Sequence, residues 1–415
     1  MATTLRNVVV VGGSRQRKSS PAFCPQHIAF CLLSPTATFT TYSHSVPYLG
    51  THGLVLCIVV LQQRAHRSPQ PRFAVLPSYE HKAFIPYTAA FGSESSPAQH
   101  AVVQARVESL RSDRVVLDRE WQGSKEIPFE YLVVASGTKL QAPGSMQDDE
   151  KSLSVKYFQE YQKRITAANS VIVVGGGAVG VQMVTDLKEL YPEKEVTLVH
   201  SRNKLMPLYH EQLDGIIKER CQELGVKLVL GSRVVMPSGG LDPNATSIEL
   251  QNGTKLSADV IVPAVGQTPN TQFLSGLTPS SKDSLINPVN RFIRVKPTLQ
   301  FQDPKYPNIY AVGDIADSGA HKAARPGAAQ AAVVAKNVLA MIEGKEPSEP
   351  IVVSPPGIHM SLGLTKNLVF MNPNTAEGET EPMIKHRDDG KRDMGIDKVW
   401  VKRGVNVTDP TQYHL

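Results

Sequence analysis

Cysteine is scarce: Cys24, Cys31, Cys57 and Cys221 are the four in 415 residues, and no two stand in a C-x-x-C or C-x-x-x-x-C arrangement. That spacing argues against a dithiol redox pair and a structural zinc site, and a reducing compartment is the simpler setting for such thiols. Long apolar runs are also missing. The longest, Leu54 to Leu61, is far too short to cross a bilayer. No charged-then-apolar leader with a small-residue cleavage site opens the chain, so a cytoplasmic location is expected and the sequons at Asn244, Asn252 and Asn406 read as chance. Ala2 excludes N-myristoylation of the unprocessed terminus. Charge of one sign is limited too. The net charge is +6, with no basic stripe interleaved with aromatics, which makes nucleic acid a poor partner; phosphate-bearing ligands account for a mild basic bias. What remains, 41% hydrophobic and 20% charged residues, is globular material long enough for two or three domains.

What is present is glycine in context. Val171-Ile172-Val173-Val174 has the composition of a buried parallel strand and runs into G-x-G-x-x-G at Gly175, Gly177 and Gly180. Val179, Met183, Leu187 and Leu190 then recur at helical spacing, and Val196-Thr197-Leu198-Val199 supplies the next strand. The chemistry asks for those residues: the first glycine makes a tight turn, the second lets backbone N–H groups approach a pyrophosphate, and the third lets the helix pack close to the strand. The second strand ends in His200-Ser201-Arg202, where an acid would favour NAD. A hydroxyl between an imidazole and a guanidinium admits a 2′-phosphate, so both nicotinamide nucleotides stay open as NAD(P)H.

A second strand-then-glycine pattern begins the chain, Asn7–Val11 followed by Gly12-Gly13-Ser14. It is interrupted. Arg15–Pro47 shows no helical period, and removing it would close the turn as Gly-Gly-Ser-Tyr-Leu-Gly, ending at Gly50. A long structureless segment inside a pyrophosphate turn is physically awkward, because the amides must converge on one point. The segment reads as an insertion or a mis-spliced stretch, with irregular sequence continuing to about Gln70.

Order returns at Pro71–Pro77. Segments near Ala101–Val107 and Val115–Leu117 suggest an antiparallel hairpin turning at Arg111-Ser112-Asp113, and Phe129–Ala135 a strand ending in the small-residue turn Ala135-Ser136-Gly137. The pattern predicts a helix over Glu211–Leu224 stopped by Gly225, then strands at Val226–Leu230, Asp259–Val265 and Ile309–Val312. The second of these runs into Gly266-Gln267-Thr268-Pro269-Asn270 and the third into Gly313-Asp314. Pro326 fits the first residue of a helix ending before Gly344. Asn372–Asp393 reads as a polar loop before a strand at Lys398–Val401.

The order of these motifs resembles the pyridine nucleotide-disulphide oxidoreductase family, and within it the fungal members of the apoptosis-inducing-factor-2 (AMID, ferroptosis suppressor) branch. The carrying residues are Pro71–Pro77, Lys82–Tyr87, Val171–Arg202 and Ala311–Asp314. The resemblance implies an α/β fold with two Rossmann-like dinucleotide-binding domains, for FAD and NAD(P)H, and a small α+β C-terminal segment. The divisions expected are 1–149 and 269–347 for FAD, 150–268 for NAD(P)H, and 348–415 for the C-terminal segment. It further implies that Gly12, Gly13, Ser14 and Gly50 cradle the FAD pyrophosphate. Arg72 and the Ala135-Ser136-Gly137 turn would lie near the flavin, and Gly313-Asp314 would receive its ribityl chain. Gly175, Gly177 and Gly180 would hold the nicotinamide nucleotide, with His200 and Arg202 at its ribose and Gly266 near the nicotinamide. Lys322 and Gln182 would flank the flavin N5, Gln182 replacing a glutamate usual in relatives.

The activity implied is hydride transfer from NAD(P)H to flavin and onward to a quinone or similar acceptor. A competing reading, favoured by the interrupted first turn, is a flavin-free, inactive relative that binds NAD(P)H or a partner; a weaker third is a biosynthetic oxidase of a small metabolite. Relatives often associate peripherally with membranes or lipid droplets, although this chain carries neither lipidation signal nor anchor. A monomer or homodimer is expected.

Overall fold

The computed structural model describes residues 6–12, 54–60, 65–67, 71–86, 100–144, 150–237 and 240–414. Gly13, Ser14 and Gly50 lie outside these residues, as does most of the segment read as an insertion.

Two parallel sheets contain nine described strands. In chain order these are β1 (Arg6–Val11), β2 (Leu54–Val60), β3 (His100–Gln104), β4 (Tyr131–Val134), β5 (Ser170–Val174), β6 (Glu195–Val199), β7 (Lys227–Val229), β8 (Val260–Pro263) and β9 (Ile309–Ala311). The first sheet has the order β9-β4-β1-β2-β3 and the second β7-β6-β5-β8. All neighbours in both are parallel. In each, the chain leaves one central strand, β1 or β5, for a neighbour on one side and later returns to its other side. The carboxyl ends of those strands are therefore topological switch points, where α/β sheets open a crevice for ligands. Gly12 and Gly175 stand at the two openings.

Burial on both faces explains the unbroken valine runs. Val9 and Val11 pack with Leu132, Val134 and Phe273 on one face of the first sheet, while Val8 and Val10 pack with Tyr131, Val133 and Val334 on the other. In β5, Val171 and Val173 point into one core and Ile172 and Val174 into another. Parallel strands covered on both faces need apolar residues at every position, and the sequence provides them.

Five α-helices are described: α1 (Lys151–Ala167), α2 (Ala178–Leu190), α3 (Glu211–Leu224), α4 (Ala324–Ile342) and α5 (Ile396–Lys402). Helix α3 has the bounds the sequence predicts. His210 accepts the Gln212 N–H at its start, and Gly225 ends it with φ 71°, the left-handed geometry that glycine adopts without strain. Helix α4 begins at Ala324, which makes Pro326 its third residue rather than its first. A three-stranded antiparallel sheet, β10 (Gly357–Ser361), β11 (Asn367–Met371) and β12 (Met383–Arg387), packs Met360, Leu368 and Phe370 into the same core as α2, α3 and Trp400.

Four expectations are corrected. Residues 54–60 are not irregular: they form β2, paired with both β1 and β3. Residues 100–104 leave the expected hairpin to join that sheet, and the hairpin is made by Val107–Leu110 and Arg114–Trp121. The polar tract 372–393 contains the edge strand β12. Lys398–Val401 lies in helix α5, which follows the left-handed Gly395 and buries Ile396 and Trp400 one turn apart.

Candidate active site

The nucleotide turn after β5 is built so that each glycine has its own reason. Gly175 adopts φ 126°, and a Cβ there would stand 2.4 Å from the Ala264 carbonyl oxygen. Its N–H donates to the Val199 carbonyl at 2.7 Å, which fastens the turn to β6. At Gly180 a Cβ would fall 1.8 Å from the Gly175 oxygen, so helix α2 can approach its strand this closely only with glycine. Gly176 is closed off by Leu205 and His200. Gly177, the N-cap of α2, is different: nothing lies within 4 Å of its Cβ position. No protein packing demands glycine there, and the open side faces the positive end of a helix, where a phosphate binds.

His200 sits over this turn. Its Nδ1 accepts the Gly176 N–H at 3.1 Å, which places the ring proton on Nε2. Nε2 is buried and makes no hydrogen bond among the described residues, although the Lys204 backbone favours the charged ring. Burial holds this imidazole below its ordinary pKa, with Arg202 adding to the effect. Arg202 is exposed at the end of the strand.

A short strap joins the two crevices. Thr138–Lys139 pairs antiparallel with Thr268–Pro269. Ser136 Oγ donates to the Asn270 carbonyl at 3.0 Å, and Asn270 Nδ2 returns a bond to the Ser136 carbonyl at 2.9 Å. The Ala135-Ser136-Gly137 turn is thus held to the Gly266–Asn270 segment, and Gly266 (φ 73°) has open space at its Cβ position.

On the first sheet, a Cβ on Gly12 would stand 2.2 Å from the Ala135 carbonyl oxygen, so β1 and β4 end in contact at their switch point. Gly313 follows β9 with φ 74° and open space beside it. Its N–H donates to Gln330 Oε1 at 2.6 Å, and Gln330 Nε2 donates to Ser318 Oγ at 2.9 Å. That buried amide locks the Gly313–Ile315 turn, with Asp314, against the first turns of α4. Sequence reasoning missed Gln330; a polar residue on the small-residue, apolar face of α4 was the available signal.

Lys322 donates from Nζ to the Ala316 carbonyl, and its ammonium lies 4.1 Å from the centre of the Phe292 ring. Burial lowers its pKa, opposed by Asp314 and Asp317. Gln182 donates instead to Ser361 Oγ at 3.1 Å, on the C-terminal sheet. The two expected flavin neighbours therefore do not bond to each other. His321, next to Lys322, has both ring nitrogens buried and without a hydrogen bond among the described residues, while the Gly357 backbone favours its charged form. Burial again holds this imidazole below its ordinary pKa.

Arg72 is committed to protein partners. Its side chain is fully buried, and its guanidinium forms a bidentate pair with Asp186 of α2, Nε to Oδ2 at 2.9 Å and Nη2 to Oδ1 at 2.7 Å. The remaining donors go to the carbonyls of Gly363, Leu364 and Lys391. All five N–H groups are used, which leaves none for a flavin. Burial pushes the Asp186 carboxyl above the usual carboxylate range, and the guanidinium clamped on it is what keeps it ionised. The pair is a seam joining the 71–76 segment, α2 and the C-terminal segment.

Among the described residues no cluster of histidine, cysteine and carboxylate residues could hold a metal, and no helix is long and apolar enough to cross a membrane. The described donor sets fit two dinucleotides. Open glycines at Gly177 and Gly313, each beside the N-terminal end of a long helix, and half-buried imidazoles with buried ring nitrogens beside each crevice are features that protein packing alone does not use.

Two Rossmann-type sheets with glycine turns at their switch points define the architecture of a dinucleotide-binding protein. Residues 56–335 match the pyridine nucleotide-disulphide oxidoreductase family, and the chain belongs to it. It is similar to Fe-regulated protein 8 of Mycosarcoma maydis, 34% identical over 379 residues that cover 85% of this chain and 89% of the relative. Ferroptosis suppressor protein 1 of Mus musculus is 29% identical over 283 residues, covering 66% and 70%. That relative represents the branch expected from the sequence. The fold is shared with the sulfide:quinone oxidoreductase of Aquifex aeolicus, with a TM-score of 0.66, 16% identity, and coverage of 98% of this chain and 94% of that one. The protein is accordingly an FAD-dependent oxidoreductase of NAD(P)H.

Proposed function

We propose that the enzyme passes electrons from NAD(P)H to a quinone-type acceptor. Residues 150–268 serve as the NAD(P)H domain, 1–149 with 269–347 as the FAD domain, and 348–415 as the segment facing the acceptor. The carrying observation is the strap at Ser136–Asn270: it ties the two switch-point crevices together, so ligands opening from Gly177 and from Gly313 are brought toward one another. The bound flavin supplies hydride acceptance and onward electron transfer.

The chain supplies placement and charge. The Gly175–Gly180 turn and the amino end of α2 would hold the pyrophosphate of NAD(P)H, and His200 and Arg202 its ribose. Gly12, with Gly13, Ser14 and Gly50, would hold that of FAD, and Asp314 the ribityl hydroxyls. The amino end of α4 and the Lys322 ammonium place positive charge where reduction brings negative charge. Reducing a quinone to a quinol takes two electrons and two protons; the hydride accounts for both electrons and one proton. The second needs an acid, and Lys322, with its pKa lowered by burial, is one of suitable type. The location that suits this reading is the cytoplasm or the surface of a membrane.

The test is NAD(P)H oxidation by purified protein with and without a soluble ubiquinone analogue. The reading expects quinone-dependent turnover that falls about 100-fold or more in Lys322→Ala. Yellow protein that oxidises NADPH with oxygen or ferricyanide but with no quinone would overturn the acceptor.

A further inference from the structure

We propose that Phe292 is a positioning residue for Lys322: its ring face holds the ammonium in place and charged where an acidic side chain would otherwise be required. The functional meaning rests on the role given to Lys322 above; the contact itself does not.

Lys322 lies on a turn between Gly313–Asp317 and helix α4 and is half-buried. An ammonium there calls for a partner; Asp314 and Asp317 act on it by their charge, while its hydrogen bond goes to the Ala316 carbonyl. Asp317 is held by the facing segment. Its Oδ2 accepts Asn287 Nδ2 at 2.7 Å and its Oδ1 accepts Asn290 Nδ2 at 2.9 Å. What meets the ammonium is the Ala316 carbonyl and the Phe292 ring, at a separation that gives a strong cation–π contact.

The ring is delivered there by a built scaffold. Ile293–Arg294 pairs with Ala316–Asp317 in register, Phe292 N donates to Asn290 Oδ1 at 3.0 Å, and Asn287 N donates to the Phe292 carbonyl at 2.9 Å. The same two asparagines that occupy Asp317 thus fix the segment that carries Phe292. The charged and titratable groups around the pair are Asp314 and Asp317 on its own side, His321 and Arg325 beside it in sequence, and Arg291 and Arg294 on the facing segment. The two aspartates favour the charged lysine, and burial opposes it. The ring face is neutral overall, so it stabilises the ammonium without pinning it in a salt bridge, leaving its charge available to a ligand.

The test is competitive labelling of Lys322 with acetic anhydride across pH, read by mass spectrometry on the full-length, flavin-loaded protein. Phe292→Leu keeps the apolar volume and removes the ring face; the apparent pKa of Lys322 is expected to fall by about half a unit to one unit. Phe292→Tyr is expected to keep the wild-type value, and Phe292→Met repeats the loss in a second background should the leucine variant fold poorly. An unchanged or raised value in Phe292→Leu and Phe292→Met would overturn the proposal. Flavin absorbance is measured on the same samples. A shift of the expected size in protein that purifies colourless and takes up no added FAD upholds the contact while sinking the role of Lys322 at the flavin.

Discussion

The two nucleotide turns of this chain solve one problem in opposite ways. The turn after β5 is local: residues 175–194 connect β5 to its neighbour β6, and the glycines, α2 and His200 all come from one continuous stretch. The crevice at β1 is assembled from afar. Residues 12–53 separate β1 from its neighbour β2, and Ala135, Gly313, Lys322 and Gln330 arrive from distant segments. A local cradle depends on the shape of a few backbone positions. An assembled one depends on the contacts that bring its pieces together, so the two should fail differently.

The largest effect is expected at the Arg72–Asp186 seam, which joins α2 to the 71–76 and C-terminal segments. Asp186→Ala leaves the Arg72 guanidinium buried without its counter-charge and should lower stability by about 3–5 kcal/mol, read from urea denaturation monitored in the far ultraviolet. A loss under about 1 kcal/mol would show that the pair does not hold the regions together. Within the local cradle, Gly180→Ala drives a Cβ into the Gly175 carbonyl. It should lower stability by roughly 1–3 kcal/mol and weaken NADPH binding in a fluorescence titration, while the flavin content stays at the wild-type level. Equal loss of both cofactors would erase the distinction between the two turns.

Gly177→Ala sharpens the contrast from the other side. The position is open and its φ is −86°, so stability should change by less than about 0.5 kcal/mol. The added methyl occupies the space a phosphate would use, and NADPH affinity should fall about tenfold, a loss of roughly 1.4 kcal/mol in binding. Full affinity with the methyl present would place the nucleotide elsewhere.

The smallest effect is that of pH. His200 and His321, one beside each crevice, both have folded pKa values depressed by burial. Their contribution to stability is complete above the unfolded value of about 6.5 and is lost as pH falls through the lower folded values. The melting temperature should therefore drop between pH 7 and pH 5. Replacing both histidines with glutamine should flatten that limb; an unchanged limb would assign it to other groups.

The difference between the turns also decided what could be read from sequence. The β5–α2–β6 unit and helix α3 were legible because spacing, caps and glycines lie within one window. Residues 54–60 were not, because membership of a sheet is conferred by β1 and β3, which lie far off in the chain, and the unpatterned residues before them hid the strand. The strand β12 carries exposed residues at four of its five positions and offers no alternation to detect. Residues 398–401 read as a strand because Val399 and Val401 flank Trp400; the helical form of α5 is set by the left-handed Gly395 and by the burial of Ile396 and Trp400. The partners of Arg72, among them Asp186, Gly363 and Lys391, are remote in sequence, and only folding reveals that its donors are spent on them.

Anaerobic addition of one equivalent of NADPH to the purified protein, followed in the visible spectrum, tests the central claim that two facing cradles work as one oxidoreductase. The account predicts yellow protein whose flavin absorbance bleaches on mixing and returns when a quinone is added. Protein that binds NADPH but is colourless, or whose flavin band is untouched by it, would contradict the account.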